Sequence, residues 1–296
     1  MMILLEKLFI FKQWFIAFRR KQPYASPLAM NGFHIIRPPT GRFFADPFVI
    51  EQERKNYIFF EDLRQTTRKG VISFVEIDEQ GNCSEPQVAL EKKYHLSYPF
   101  LIKIDQGIFM IPETSANNTI ELYEAVKFPA QWALKRVMIS GIRACDSTLF
   151  RYNDKWWMFT NVMSPQEQTG KGELHIFYAD SLFSEWQPHV CNPVNQDPRT
   201  ARPAGNLFVH DGKIIRPSQN CSLQYGAALM INEITRLTET EYSEHLLFEV
   251  GPDWCKDNHK FHTYNFNKDW EVIDGLINVV DLSKPVRRAY SSLFYS

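Results

Sequence analysis

Short apolar runs separated by polar turns recur along this chain at intervals of about fifty residues. Four of them align without gaps: Asp46-Pro-Phe-Val-Ile, Tyr98-Pro-Phe-Leu-Ile, Asp146-Ser-Thr-Leu-Phe and Ala204-Gly-Asn-Leu-Phe, spaced by 52, 48 and 58 residues. Each run leads to a turn, at Glu53-Arg-Lys-Asn, Asp105-Gln-Gly, Asn153-Asp-Lys and His210-Asp-Gly-Lys, built from residues that tolerate tight reversal. Return strands follow at Tyr57-Ile-Phe-Phe, Ile108-Phe-Met-Ile, Trp156-Trp-Met-Phe and Lys213-Ile-Ile-Arg. A further alternating run comes next, such as Val71-Ile-Ser-Phe-Val-Glu-Ile or Leu174-His-Ile-Phe-Tyr-Ala. Two hairpins in each period are the pattern of a propeller blade.

A fifth, degraded copy runs from Phe261-His-Thr-Tyr-Asn-Phe through a turn at Asn267-Lys-Asp to Trp270-Glu-Val-Ile-Asp-Gly. The strand around Gln13–Arg20 is expected to complete that last blade, because an open ring would leave two exposed edges. No Gly/Ser/Pro-rich linker divides the chain. The expected fold is therefore all-β: one five-bladed β-propeller over residues 1–296, with residues 1–12 as a short helical extension. Helix-period patterning is confined to that extension and to Phe128–Met138.

Composition narrows the partners. The 296 residues carry a formal net charge of -1, with both signs scattered, so the basic stripe of a nucleic-acid binder is missing. Five widely spaced cysteines without a CxxC pair argue for reduced thiols, a cytoplasmic location and no cysteine zinc site. The apolar N-terminus is interrupted by Glu6, Lys7 and Lys12, too many charges for a spanning helix. A peripheral membrane contact through Leu4, Leu5, Leu8 and Phe9 stays open.

In a propeller, the first strand of each blade lines the channel and the second returns beside it. The repeat register thus places Asp46, Tyr98, Asp146 and Ala204 at one channel mouth, with Glu61, Glu113, Asn161 and Gln219 fifteen residues further on. Arg42, Arg143 and Arg202 precede first strands, and Arg216 lies near the end of a return strand. Carboxylates, amides and guanidinium groups at register-matched positions suit the hydroxyls of a sugar, with Tyr98, Trp156 and Trp157 as candidate stacking platforms. The arginines suggest an acidic or phosphorylated sugar, since a guanidinium grips such groups with two parallel hydrogen bonds. A carboxylate pair across a glycosidic bond is also the minimum for hydrolysis, and Asp46, Asp146 and Glu113 are the candidates. The bland alternative is that Asp46 and Asp146 cap turns while the arginines pair with carboxylates and hold the blades in register.

Ala45-Asp46-Pro47-Phe48, the strand ending at Glu61, and Asp146 at the head of a later strand resemble the furanosidase superfamily of five-bladed propellers, including glycoside hydrolase family 43. The resemblance implies that Asp46 is base or nucleophile, Asp146 orients the site, and a later Glu is the acid. His262 resembles a fifth-blade ligand of that family at the channel axis, which implies a structural cation there; otherwise it is a packing residue. The sequence itself requires no cofactor. Nearly the whole chain, through Tyr94-His-Leu-Ser-Tyr-Pro-Phe, Ile111-Pro-Glu113-Thr, Ala201-Arg-Pro-Ala-Gly-Asn and Arg216-Pro-Ser-Gln-Asn, is similar to the N-terminal domain of plant glucosamine inositolphosphorylceramide transferase. That likeness implies a sugar context and a separate glycosyltransferase as partner. One departure matters: the family 43 acid sits near the start of the fourth blade, where this chain has Arg202. An arginine does not release its proton near neutral pH. Either Glu113 takes over as acid in a glycosidase or transglycosidase reaction, or the propeller binds sugar without cleaving it.

Overall fold

The computed structural model describes residues 8–24, 28–164 and 172–294. Their strands form five antiparallel sheets around one axis. The chain starts in what proves to be the last blade, with β1 (Ile10–Arg20) and β2 (His34–Ile36). The first complete blade is β3 (Arg42–Gln52), β4 (Lys55–Arg64), β5 (Lys69–Ile77) and β6 (Gln87–Leu90). The second is β7 (Ser97–Ile104), β8 (Gly107–Glu113), β9 (Thr119–Lys127) and β10 (Gln131–Ser140). The third is β11 (Ala144–Tyr152), β12 (Lys155–Val162), β13 (Glu173–Ala179) and β14 (Gln187–Pro188). The fourth splits its inner strand into β15 (Arg202–Pro203) and β16 (Phe208–His210), then continues with β17 (Lys213–Asn220), β18 (Ala228–Leu237) and β19 (Tyr242–Val250). The fifth pairs β20 (Tyr264–Phe266) with β21 (Trp270–Val280), and β21 with β1 along eleven matched positions, Ile10↔Val280 to Arg20↔Trp270. The expected ring closure by the N-terminal strand is thus present.

The reversals inside the blades follow from local chemistry. Glu53-Arg54, Asn153-Asp154 and Asp211-Gly212 all sit at positive φ in two-residue hairpin loops. That geometry matches the right-handed twist of the flanking strands. Strand β4 is buried along most of its length because neighbouring blades cover both of its faces. The largest apolar cluster joins the first three blades, from Phe48 and Phe59 through Phe100 and Met110 to Leu149 and Met158.

Two expectations need correction. Of the proposed helix over residues 1–12, residues 1–7 lie outside the described ones, and from Ile10 onward the chain is strand because it pairs with β21. The α-helix described in full is at the opposite end, α1 (Lys284–Phe294). Phe128–Met138 is no helix either: from Gln131 it is β10, paired with β9 through three register shifts, and such bulges let a strand mimic a helical period.

Candidate functional site

The inner strands share one device. Ladder pairing skips a residue between Ala45 and Phe48, between Ser97 and Phe100, and between Cys145 and Thr148. At each bulge one residue adopts the left-handed conformation: Asp46 at φ 53°, Tyr98 at φ 42° and Asp146 at φ 56°. For residues other than glycine this region costs about 1–3 kcal/mol each and tends to collect at functional sites. A bulge re-aims a side chain away from the pleat. Here it holds both aspartates in a buried polar mouth.

The fourth blade is shifted. Arg202 faces Gln219 as Ala45 faces Glu61, Ser97 faces Glu113 and Cys145 faces Asn161. The position that follows the pair is therefore Pro203, not Ala204 as the gapless alignment implied. Five steps from Pro203 to Phe208 oppose three from Ser218 to Ile215, against three opposite two in the first blade. That extra residue displaced the register. It also shows that Arg202 belongs to the channel wall, whereas Arg42 stands three residues further out.

Asp46 is held on all sides. Its Oδ1 accepts a hydrogen bond from Thr263 Oγ1 at 3.1 Å, its Oδ2 one from the Tyr98 N–H at 3.3 Å, and its own N–H donates to Asp274 Oδ2 at 3.2 Å. Burial pushes its pKa well above the usual carboxylate range; the nearby His262 opposes this, and the charges of Asp146, Glu61 and Asp274 add to it. Asp146 Oδ2 accepts from Arg202 Nε at 2.5 Å and from Gln219 Nε2 at 2.9 Å. Burial lifts Asp146 to about 6 although Arg202 pulls it down. Arg202 also reaches Glu113 Oε2 at 3.8 Å, and Glu113 Oε1 accepts from Ser115 Oγ at 2.6 Å. Glu113 thus faces the Arg202 guanidinium across the mouth.

The remaining candidates divide. Glu61 binds His95 Nε2 at 3.2 Å; burial works against the imidazole's charge, but the carboxylate outweighs it and His95 rises to about 9. Tyr98 is fully buried, its hydroxyl tied to Thr148 Oγ1 at 2.8 Å and to the Gly205 N–H at 2.7 Å. Trp156 and Trp157 are buried in apolar clusters. None of these three rings is a stacking platform. Arg42 makes a two-pronged contact with Asp62, and Arg216, fully buried, makes one with Glu244 at 2.7 and 2.6 Å. Arg143 donates to the Ser164 carbonyl at 3.2 Å. Asn161, matched in register to Glu61 and Glu113, is fully buried with neither amide atom hydrogen-bonded. A buried unsatisfied group costs about 1–3 kcal/mol.

Around His262, the donor atoms of Asp46, His262 and Asp274 lie within 4.8 Å of one another. They fit a cation poorly, because they already satisfy each other. Asp274 Oδ1 accepts from the N–H groups of His262 and Thr263 at 3.0 and 3.1 Å, and its Oδ2 from Asp46 N and His262 Nδ1 at 3.2 and 2.6 Å. Burial disfavours the His262 imidazolium, yet Asp274 raises its pKa above the ordinary value. Asp274 thus favours a charged imidazole where the expected cation would bring positive charge.

Aromatic surface enters from residues the repeat did not flag. Trp14 stacks on His262 with centroids 4.0 Å apart, and Tyr225 meets the same imidazole edge-on at 5.2 Å. Arg202 sits 4.8 Å over the Tyr225 ring, and Lys260 donates to the Tyr225 carbonyl. Trp14 is the buried base of this cluster, while Phe43 and Tyr225 keep part of their surface open. Tyr225 lies in the loop between β17 and β18, where no periodicity marks it. The register of the closing strand is the signal that could have found Trp14.

The raised pKa of Asp46 has a measurable sign. A carboxyl whose folded pKa is raised favours folding while protonated; that contribution is complete below the unfolded value of about 3.9 and is lost as pH rises through the folded one. Wild-type protein is therefore expected to gain stability relative to Asp46→Asn as pH falls from about 7 to about 4. Denaturant midpoints across that range measure it, and a difference that does not change with pH contradicts the assignment.

Five inner strands converging on a buried, carboxylate-lined mouth define a five-bladed β-propeller with a polar channel. Similar solved structures include a family 117 glycoside hydrolase from Zobellia galactanivorans, at a TM-score of 0.57 and 11% identity over 94% of this chain and 92% of that one. Another is the catalytic domain of a family 62 α-L-arabinofuranosidase from Coprinopsis cinerea, at 0.57 and 10% over 78% and 90%. At such identities the likeness concerns fold alone. The chain belongs to the family described as glucosamine inositolphosphorylceramide transferase 1, N-terminal, which matches residues 22–267. Full-length relatives of that name are 36% identical in rice (Oryza sativa subsp. japonica) and 33% in Arabidopsis thaliana, each over 205 residues and 68% of this chain. The match spans 27% of each plant protein.

Proposed function

We propose that the channel mouth binds a carbohydrate without cleaving it, and that the propeller serves glycan assembly beside a separate glycosyltransferase. The observation that carries this reading is Arg202, bonded to Asp146 and 3.8 Å from Glu113. It ties up two of the three carboxylates that hydrolysis would need. Burial raises the pKa of the third, Asp46, which favours its protonated form. The transferase name of longer relatives, of whose length the match spans 27%, supports the partner. Five unpaired thiols support a cytoplasmic setting.

The ligand we favour is neutral. Arg42, Arg202 and Arg216 are already neutralised by Asp62, Asp146 and Glu244, which withdraws most of the argument for an acidic sugar. A sugar face suits Tyr225, which keeps part of its surface open. In calorimetric titration with a panel of neutral oligosaccharides and their uronic counterparts, at least one neutral member is expected to bind no more weakly than its acidic analogue. Tyr225→Ala should weaken that binding by about tenfold, the loss of one stacking face. Tight binding of acidic members alone would overturn the choice of ligand.

A second reading, glycosidase or transglycosidase chemistry at Asp46 with Asp146 and Glu113, draws on the raised pKa of both aspartates, since perturbed carboxyls collect at catalytic sites. It requires Asp46→Asn to abolish turnover on a folded protein.

A further inference from the structure

Position 70 accommodates only a glycine, for reasons of space. A β-carbon there would stand 2.4 Å from the Leu96 carbonyl oxygen, 2.8 Å from His95 Cε1 and 2.9 Å from Glu61 Oε1. The segment entering β7 uses that room to lie against the start of β5. The Leu96 N–H donates to the Gly70 carbonyl at 3.1 Å, and the Gly70 N–H donates to His95 Nδ1 at 3.0 Å. These two bonds fix where the imidazole sits and which way it points. Its other nitrogen, Nε2, lies 3.2 Å from Glu61 Oε1. Glu61 favours the charged imidazole, whereas the Gly70 N–H favours an unprotonated Nδ1. In both forms Nε2 carries a hydrogen toward Glu61.

That arrangement leaves half of a carboxylate open. Glu61 is buried, and its Oε2 has no hydrogen-bond partner among the described residues, yet the atom is not sealed from solvent. The other mouth carboxylates are more fully engaged. Asp46 accepts on both oxygens, Asp146 pairs with Arg202, and Glu113 lies between Ser115 and the same guanidinium. Among the described residues no arginine or lysine pairs with Glu61. Its place in the wall matches the aromatic surface. Ala45, the ladder partner of Glu61, packs in the cluster that holds Tyr225 and Phe43, so acceptor and ring border one stretch of the channel. A hydrogen bond to a charged acceptor is roughly twice as strong as one between neutral groups. A sugar hydroxyl supplies the missing donor, and a ligand carboxylate or phosphate would be repelled.

We propose that Glu61 Oε2 is the hydroxyl acceptor of the mouth and that His95, pinned by Gly70, is the positioning residue that aims it. This rests on the carbohydrate reading and adds the residue pair that tells one sugar from another. The test uses the methyl glycosides of glucose, galactose and mannose with their monodeoxy analogues, titrated by saturation-transfer nuclear magnetic resonance. Wild-type protein is expected to bind at least one glycoside and to bind its analogue lacking the recognised hydroxyl about tenfold more weakly. Glu61→Gln should show that loss with the parent glycoside and little further loss with the analogue. His95→Leu should match Glu61→Gln, whereas His95→Gln, which keeps a donor facing Oε1, should retain most of the affinity. A merely structural role would not single out one hydroxyl or separate leucine from glutamine, and thermal transitions will show that each variant folds. Undiminished binding by Glu61→Gln, or a loss spread alike over every deoxy analogue, would overturn the proposal while the carbohydrate reading stands. Undiminished binding by His95→Leu would remove the positioning role. Failure of wild-type protein to bind any of these glycosides would overturn the proposal, and failure with the oligosaccharide panel as well would end the carbohydrate reading too.

Discussion

Deleting residues 1–20 is expected to abolish cooperative folding. Strand β1 supplies the third strand of the fifth blade and pairs with β21 along eleven positions. Its Phe15, Ile16, Ala17 and Phe18 are buried between blades, and Trp14 forms the floor beneath Tyr225. Without it, β21 becomes an open edge of backbone donors and acceptors, and the ring loses the strand pairing that joins the end of the chain to its start. The shortened protein should show no sharp thermal transition and should aggregate through the exposed edge. A peptide spanning residues 8–24, added in trans, should restore part of the transition if closure is the reason. A truncated chain that still melts cooperatively near the wild-type temperature would contradict this account of the ring.

The second large effect is expected at Arg202. Its guanidinium is the direct ionic partner of Asp146, which is 1% exposed. Removing one member of a buried pair leaves the other charged and uncompensated, at a cost of about 3–5 kcal/mol. Arg202→Ala should therefore lower unfolding free energy by about that amount at neutral pH. The deficit should shrink as pH falls toward about 6, the value to which Asp146 is raised even with Arg202 present, and be smallest below it, because a protonated carboxyl no longer needs the cation. Arg202→Ala combined with Asp146→Asn should recover much of the loss. Denaturant titrations of the two variants at two pH values measure all three effects. A loss below about 1 kcal/mol would mean that the pair is not the clamp described here.

Blade count, ring closure and the first mouth residues were legible because each rests on a local, repeated signal. The four hairpins announced themselves through turn residues, and Asp46, Tyr98 and Asp146 through their common offset from those turns. The fourth blade was misaligned by one residue because its bulge carries an insertion, and a gapless comparison cannot register one. Pairing across blades was illegible for a different reason. That Arg202 reaches Asp146 across 56 positions, while Arg42 and Arg216 turn to carboxylates within or beside their own blades, depends on side-chain geometry that no spacing encodes. The stacking rings were misassigned because Trp156 and Trp157 lie on a strand buried by neighbouring blades, whereas Tyr225 sits in a loop with no periodic mark. Helix α1 lies outside the repeat altogether.

The central claim is that the mouth holds a sugar and leaves its glycosidic bonds intact. Nuclear magnetic resonance of the ligand tests both halves at once. An oligosaccharide that binds by calorimetry is mixed with the protein, and its anomeric signals are followed over hours. The account predicts saturable broadening of the bound sugar's signals, relieved by Tyr225→Ala, with no new reducing-end resonance at any pH between about 5 and 8. Reducing-end signals that grow with wild-type protein and vanish with Asp46→Asn would contradict it, and would assign the mouth to a glycosidase.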